Sequence, residues 1–278
     1  LCLITKFKLQ FIMTKIKNVL VTGGSGYIGN SLIKLLKDNK INVFITSRNP
    51  EWGLNLWLKK EVINKKIFKN IDTVFHLIGH AHDISNSKAN EAKYDYVNVE
   101  LTRLVVEAAE NQGVRNFIYL SSTKAIGASN IKEEISEYFQ SSPKDIYGKT
   151  KRKAELFLLN FAKNSAMDIS IIRSPLVYGK NVKGNLKKMI RGIKVNKFPR
   201  LKVNNKRSMI HVDDLCRAMF LVANSISENK IFLVTDCFVY STSNIYDTIS
   251  SALNKKNSTR NFPLLLLLVL AYFGSFIN

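Results

Sequence analysis

Cysteine is nearly absent from this chain. Cys2, Cys216 and Cys237 are too few and too far apart for a zinc pattern or a paired disulfide framework, so a reduced cytoplasmic setting is expected. Acid is scarce as well: 21 Asp and Glu stand against 42 Lys and Arg, a formal charge of +21. The excess fits a Lys-, Asn- and Ile-rich composition, attraction of an anionic substrate or cofactor, or nucleic acid. The bases are spread along the chain, clusters such as Lys149–Lys153 are short, and no nucleic-acid motif accompanies them, so nucleic acid is not expected as a partner. No long hydrophobic run exists. Leu264–Phe273 is ten residues, half of the roughly 20 a bilayer span needs. It reads as a buried helix, with a membrane-surface anchor as the alternative. Residues 1–12 are apolar but broken by Lys6 and Lys8, with no small-residue cleavage site after them. Met13 is the expected start, and residues 1–14 a disordered extension.

The most informative segment present is Thr22-Gly23-Gly24-Ser25-Gly26-Tyr27-Ile28-Gly29, between the apolar Val19–Val21 and a helical pattern through Lys37. Strand, glycine turn and helix form the arrangement a dinucleotide pyrophosphate needs. Gly23 permits the tight turn, Gly26 admits the phosphates, Gly29 lets helix and strand pack closely, and the helix N-terminus attracts the anion. Strands are expected at 17–22, 41–47, 72–78, 116–120 and 169–173, and helices at 27–39, 89–112 and 147–164. This alternation implies a parallel sheet covered on both faces. After Arg173 it becomes irregular, through Pro175, Gly179, Gly184, Gly192 and Pro199. A helix at 212–224 and a strand at 231–235 then suggest a smaller lobe on the same sheet.

Tyr147 and Lys151 lie four apart on a predicted helix and share a face. A neighbouring ammonium favours phenolate and lowers a Tyr pKa from about 10, suiting Tyr147 for proton exchange with a sugar hydroxyl or carbonyl. The spacing alone carries little weight, because chance supplies one such pair. Its context carries more: it opens a long helix after a strand ending in Ser121-Ser122-Thr123, and ligands sit at strand C-terminal ends in such sheets.

Four segments in order resemble the extended short-chain dehydrogenase/reductases, the NAD-dependent epimerase/dehydratase group acting on nucleotide sugars. They are Thr22–Gly29, Ser121-Ser122, Tyr147-x-x-x-Lys151 and Arg173-Ser-Pro-Leu-Val-Tyr-Gly179, within residues 15–250. The resemblance implies an α/β, Rossmann-type doubly wound parallel sheet over residues 15–174, with a substrate-binding lobe, shorter than in most relatives, over 175–278. It implies Ser122, Tyr147 and Lys151 as catalytic residues, with Lys151 also holding the cofactor ribose. Gly23, Gly26, Tyr27, Ile28, Gly29, Arg48 and Leu77 complete the cofactor set. Val182-Lys183-Gly184-Asn185 and Asn205-Lys206-Arg207-Ser208 look like substrate segments of UDP-sugar 4-epimerases and 4-ketoreductases. Lys124, Asn185 and Arg207 are the implied substrate contacts, Arg207 meeting the diphosphate with its guanidinium fork. The implied partner is a UDP-sugar used in polysaccharide precursor synthesis, and the protein itself is a monomer or a homodimer.

Sugar-nucleotide 4,6-dehydratases carry an Asp-Glu pair where this chain has Thr123 and Lys124, which disfavours dehydration. Ile45-Thr46-Ser47-Arg48 ends the second strand without an acid to hold an NAD ribose, so the cofactor is NAD or NADP, with Arg48 leaning toward NADP. Where the family places a Gly-Asp pair near the adenine, Trp52-Gly-Leu-Asn-Leu-Trp57 stands instead, leaving the adenine pocket unassigned. His76, His80 and His82 are spaced like metal ligands but lack supporting Cys, and no metal is expected. His211-Val-Asp-Asp214 reads as a helix start capped by a carboxylate. The rival class is a non-catalytic nucleotide sensor or scaffold of the same fold.

Overall fold

A computed structural model describes residues 16–47, 53–54, 63–81, 88–127, 135–139, 141–201, 205–225 and 230–255. The expected N-terminal extension, Arg48, His82 and the run Leu264–Phe273 lie outside these residues. In chain order the elements are β1 (Asn18–Thr22), α1 (Tyr27–Asp38), β2 (Asn42–Thr46), β3 (Thr73–His76), α2 (Lys88–Asp95), α3 (Leu101–Glu110), β4 (Asn116–Ser122), α4 (Ile146–Phe161), β5 (Asp168–Ser174), β6 (Leu176–Tyr178), α5 (Gly184–Lys194), β7 (Arg207–His211), α6 (Val212–Ala223), β8 (Ile231–Leu233), β9 (Val239–Tyr240) and α7 (Thr242–Ala252).

Six strands form one sheet in the order β2-β1-β3-β4-β5-β8, every neighbouring pair parallel. Its central strands are buried on both faces, which is why Val19-Leu20-Val21 and Phe117–Leu120 read as continuous apolar runs rather than alternating ones. One face is covered by α1 and α6 through Leu32, Leu36, Leu215 and Met219. The other is covered by α3 and α4 through Leu101, Val105, Ala154 and Leu158. These two layers hold all six strand ends in one row, and the expected Rossmann-type sheet is the observed one.

Three features differ from the sequence expectation. The helix expected over 89–112 is interrupted by a π turn, Tyr96–Glu100, between α2 and α3. Beyond β2, where Trp52-Gly-Leu-Asn-Leu-Trp57 replaces the family's Gly-Asp pair, the described residues form one parallel bridge, Thr46 with Leu54. The irregular stretch after Arg173 contains α5, β7, β9 and α7. There β7 pairs parallel with β6 and antiparallel with β9, while Met189 and Ile193 of α5 pack on Tyr246 of α7.

Candidate active site at the strand C-terminal ends

The glycine turn joins β1 to α1 as expected. Gly23 has φ +74°, a region glycine enters without strain, and its carbonyl accepts the Gly26 N–H at 2.9 Å. A Cβ on Gly29 would lie 2.6 Å from Gly23 O and 2.7 Å from Gly24 Cα, both backbone atoms that cannot yield. Gly29→Ala is therefore expected to cost about 2 kcal/mol of stability and to weaken dinucleotide binding, checked by thermal melting and titration calorimetry. The N-cap of α1, Gly26, makes no side-chain cap, and its first turn holds no acid. The open N–H groups and positive helix end suit a phosphate. Leu77 follows directly, its N–H donating to Thr22 O at 3.1 Å.

Ser122 ends β4, and Tyr147 sits in the first turn of α4. Asp145 caps that helix by accepting the Gly148 N–H at 2.9 Å. A Cβ on Gly148 would stand 2.6 Å from Lys124 O, so the missing side chain lets α4 close on the end of β4. The Ser122 hydroxyl is thereby brought beside the Tyr147 phenol. The expected lowering of the Tyr147 pKa is not found. Burial pushes it up to about 12, against a smaller downward pull from Ser122. The reason is where the lysine points: Lys151 Nζ donates to Leu120 O at 2.8 Å and to Tyr119 Oη at 3.1 Å. Burial also brings the lysine down to about 7.

Asn98 was not singled out from the sequence. It occupies the π turn, is fully buried, accepts the His80 N–H at 2.7 Å through Oδ1 and donates to Thr150 Oγ1 at 3.0 Å. It thereby ties the segment after β3 to the turn of α4 between Tyr147 and Lys151. The signal was available: Asn98 lies on the apolar stripe Tyr94, Leu101, Val105, where a polar residue is out of place. A Cβ on Gly79 would lie 3.4 Å from Lys151 Nζ and 3.6 Å from Asn98 Oδ1. The bare backbone there leaves a cradle beside the lysine. The open helix end after β1 and this cradle after the neighbouring β3 fit a dinucleotide lying across the strand ends.

His76 is not a metal ligand. Its ring lies between Thr22 Oγ1, 2.8 Å from Nδ1, and Thr102 Oγ1, 3.1 Å from Nε2. Thr102 spends its proton on Asn98 O, so Nε2 carries the imidazole hydrogen and Nδ1 accepts from Thr22. Among the described residues no group of three metal-binding side chains exists. Burial lowers the His76 pKa to about 3 from 6.5. The unfolded chain then binds more protons between those values, so stability is full above pH 6.5 and falls as pH drops toward 3, by up to about 1.4 kcal/mol per unit. A chemical denaturation series across this range should lose most of that slope in His76→Gln.

Beneath the site, Arg173 and Glu155 form a buried two-point ion pair at 3.0 and 2.7 Å, and Ser121 donates to the same carboxylate at 2.6 Å. This lashes β4, β5 and α4 together, so Arg173 of the Arg173–Gly179 segment is structural. Removing one partner would strand a buried charge.

Of the remaining expected residues, Lys124 borders this centre, while Asn185 and Arg207 lie on α5 and β7. Lys124 pairs with Asp145 at 3.2 Å, and its ammonium stands 5.8 Å from the Tyr147 ring centroid. Asn185 is exposed in the first turn of α5, and Arg207 is exposed at the start of β7 opposite Tyr240. Tyr27 reaches from the glycine turn to the smaller lobe, packing with Val182, Leu186 and Met209, and its buried hydroxyl has no hydrogen-bond partner among the described residues. The cap of α6 is an imidazole rather than the expected carboxylate: His211 Nδ1 accepts the Asp213 N–H at 3.3 Å. Asp213 and Asp214 instead complement the helix dipole from its first turn.

Residues 19–235 match the NAD dependent epimerase/dehydratase family. A UDP-glucose 4-epimerase of Vibrio cholerae is 29% identical over 255 residues, 86% of this chain and 76% of that protein. A dTDP-D-glucose 4,6-dehydratase of Mus musculus is 30% identical over 240 residues, 79% of this chain and 65% of that protein. Among solved structures, MoeE5 in complex with UDP-glucose and NAD superposes with TM-score 0.73 at 25% identity, covering 84% of this chain and 81% of that one. A UDP-N-acetylglucosamine 4-epimerase from Methanobrevibacter ruminantium, in complex with UDP-N-acetylmuramic acid, gives 0.71 at 25%, covering 87% and 84%.

Proposed function

Because the chain belongs to the NAD dependent epimerase/dehydratase family, we propose that it acts on a UDP-sugar by hydride transfer at C4, as a 4-epimerase or 4-ketoreductase. The observation that carries this reading is the Ser122 hydroxyl beside the Tyr147 phenol at the end of β4, with Lys151 one turn further along α4. The nicotinamide, when bound, takes up or returns the C4 hydride. Tyr147 Oη moves the proton of the C4 oxygen, and Ser122 Oγ fixes that oxygen against it. With its pKa held near 12, Tyr147 begins as a proton donor. To accept a proton near neutral pH it needs a nearby cation, and Lys151 is the candidate on its own helix face. Gly23, Gly26, Tyr27, Ile28 and Gly29 would hold the pyrophosphate, and Leu77 and Lys151 the nicotinamide half.

The substrate class rests on the relatives: the MoeE5 structure contains UDP-glucose and NAD, and the Methanobrevibacter ruminantium epimerase UDP-N-acetylmuramic acid. Lys124, Asn185 and Arg207 are the proposed substrate contacts, and the exposed guanidinium of Arg207 suits a diphosphate. Dehydration is disfavoured, although a dehydratase is among the relatives. Thr123 offers no carboxyl group, and Lys124 is engaged with Asp145.

Mass spectrometry of the cofactor released from purified, denatured protein tests this reading. Retained NAD supports the epimerase. An empty site binding NADPH more tightly than NADH supports the ketoreductase and the role of Arg48. Failure to bind either nicotinamide would overturn the enzyme assignment.

A further inference from the structure

Between Ser174 and Val212 the sequence holds eleven Lys and Arg and no acid. The described part of this segment centres on α5. Leu186, Met189 and Ile193 of α5 are buried, and Met189 and Ile193 pack against Tyr246, Ile245 and Ile249 of α7. The opposite side carries Lys187, Lys188, Arg191 and Lys194, with Lys183 before it and Lys197 after it, all exposed. Several bases elsewhere are matched, as in Arg103 with Glu100 and Glu107, Arg115 with Asp72, Lys153 with Asp95 and Arg200 with Asp247. Among the described residues, none of the six bases along α5 takes part in an ion pair. Such a concentration of like charge along one helix repels itself and costs stability unless an anionic surface offsets it.

Substrate attraction does not explain this face. The proposed sugar-nucleotide contacts, Asn185 and Arg207, lie at the N-terminal end of α5 and on β7. Arg191 and Lys194 stand about 1.7 and 2.5 helical turns beyond Asn185, on the side turned away from the core. The other end of α5 meets the last described residue: Lys255 donates from Nζ to Asn196 Oδ1, just past the helix. From there the sequence continues through Lys256 and Arg260, without an acid after Asp247, into the apolar run Leu264–Phe273. A basic helix face therefore lies next to the point from which a basic and then strongly apolar segment departs. Charge and apolar insertion together are what reversible attachment to a lipid surface takes, since one signal alone binds only marginally.

We propose that the basic face of α5 docks on an anionic membrane surface, with the following apolar run as the second element of the attachment. The proposal does not depend on which reaction the protein catalyses. The test is co-sedimentation of the full chain with phosphatidylcholine vesicles, with and without phosphatidylglycerol. Binding should require the anionic lipid and weaken as salt rises. K187Q/K188Q/R191Q/K194Q should bind those vesicles at least about a hundredfold more weakly, with unchanged melting temperature and unchanged nicotinamide binding. Deleting residues 262–278 should weaken binding but leave what remains salt-sensitive. The proposal is overturned if the wild-type chain ignores anionic vesicles or binds neutral ones equally. It is equally overturned if the fourfold variant binds as the wild type does. A fourfold variant that loses affinity for UDP-sugars while keeping vesicle binding would assign the charge to substrate attraction instead.

Discussion

Tyr147→Phe should lower kcat/KM about a thousandfold, within the range a positioned general acid–base contributes, while dinucleotide and sugar-nucleotide affinities change only a few-fold. The change removes one oxygen. Its neighbour Ser122 keeps its contact with the Lys124 N–H at 3.2 Å, so the end of β4 is not left without support. The ring still packs edge-on against Tyr94, with centroids 6.4 Å apart. Structure and binding should therefore survive, and the loss should appear in kcat rather than in KM. Steady-state kinetics beside calorimetric titration of both ligands make the check. A variant with near-normal turnover would remove Tyr147 from the chemistry. Normal function in the cell together with absent turnover in both proteins would favour a nucleotide sensor.

Lys151→Met should abolish turnover and at the same time stabilise the ligand-free protein. The ammonium is buried, and its pKa falls from 10.5 to about 7. The unfolded chain holds its proton more tightly across that interval. The stability contribution is thus highest above pH 10.5, declines as pH falls to 7, and stays low below it. At neutral pH this amounts to about 4 kcal/mol against folding, counting 1.36 kcal/mol per pKa unit. Methionine removes that penalty but leaves Leu120 O without its 2.8 Å donor, a loss of about 1–3 kcal/mol. The expected net gain is about 1–3 kcal/mol at pH 7, shrinking toward alkaline pH as the wild-type lysine becomes neutral in both states. Urea denaturation at pH 7 and at pH 10 reads both parts. A destabilised variant at pH 7 would mean that the lysine is a structural tie rather than a strained functional group.

Much of the sheet could be read from the chain because its rules are local. Val19–Val21 is apolar without alternation, Leu32 and Leu36 repeat at helical spacing, and the glycines between them mark the turn. Tyr147 and Lys151 were legible only through their place after the strand ending in Ser122. Their electrostatics were not legible, because spacing shows that two side chains share a face but not what else surrounds them. Tyr119 and Leu120, which hold the lysine, come from a strand some thirty residues earlier. The π turn at Tyr96–Glu100 was invisible for a similar reason. It follows from the fit of Asn98 to His80 and Thr150 rather than from the propensities of its own five residues. The elements α5, β7 and α7 were missed where glycine, proline and a surplus of lysine blur the periodic pattern. The Glu155–Arg173 pair, 18 residues apart in sequence, gave no sign that it would be buried.

The most direct measurement follows an isotope. The protein is incubated with NADH or NADPH carrying deuterium at both C4 positions of the nicotinamide and with a panel of UDP-4-ketohexoses, and the recovered sugar is examined by mass spectrometry. Hydride transfer to C4 places deuterium on at least one sugar, and none in Tyr147→Phe. Binding of both ligands with no deuterium transferred to any sugar would contradict the proposed chemistry.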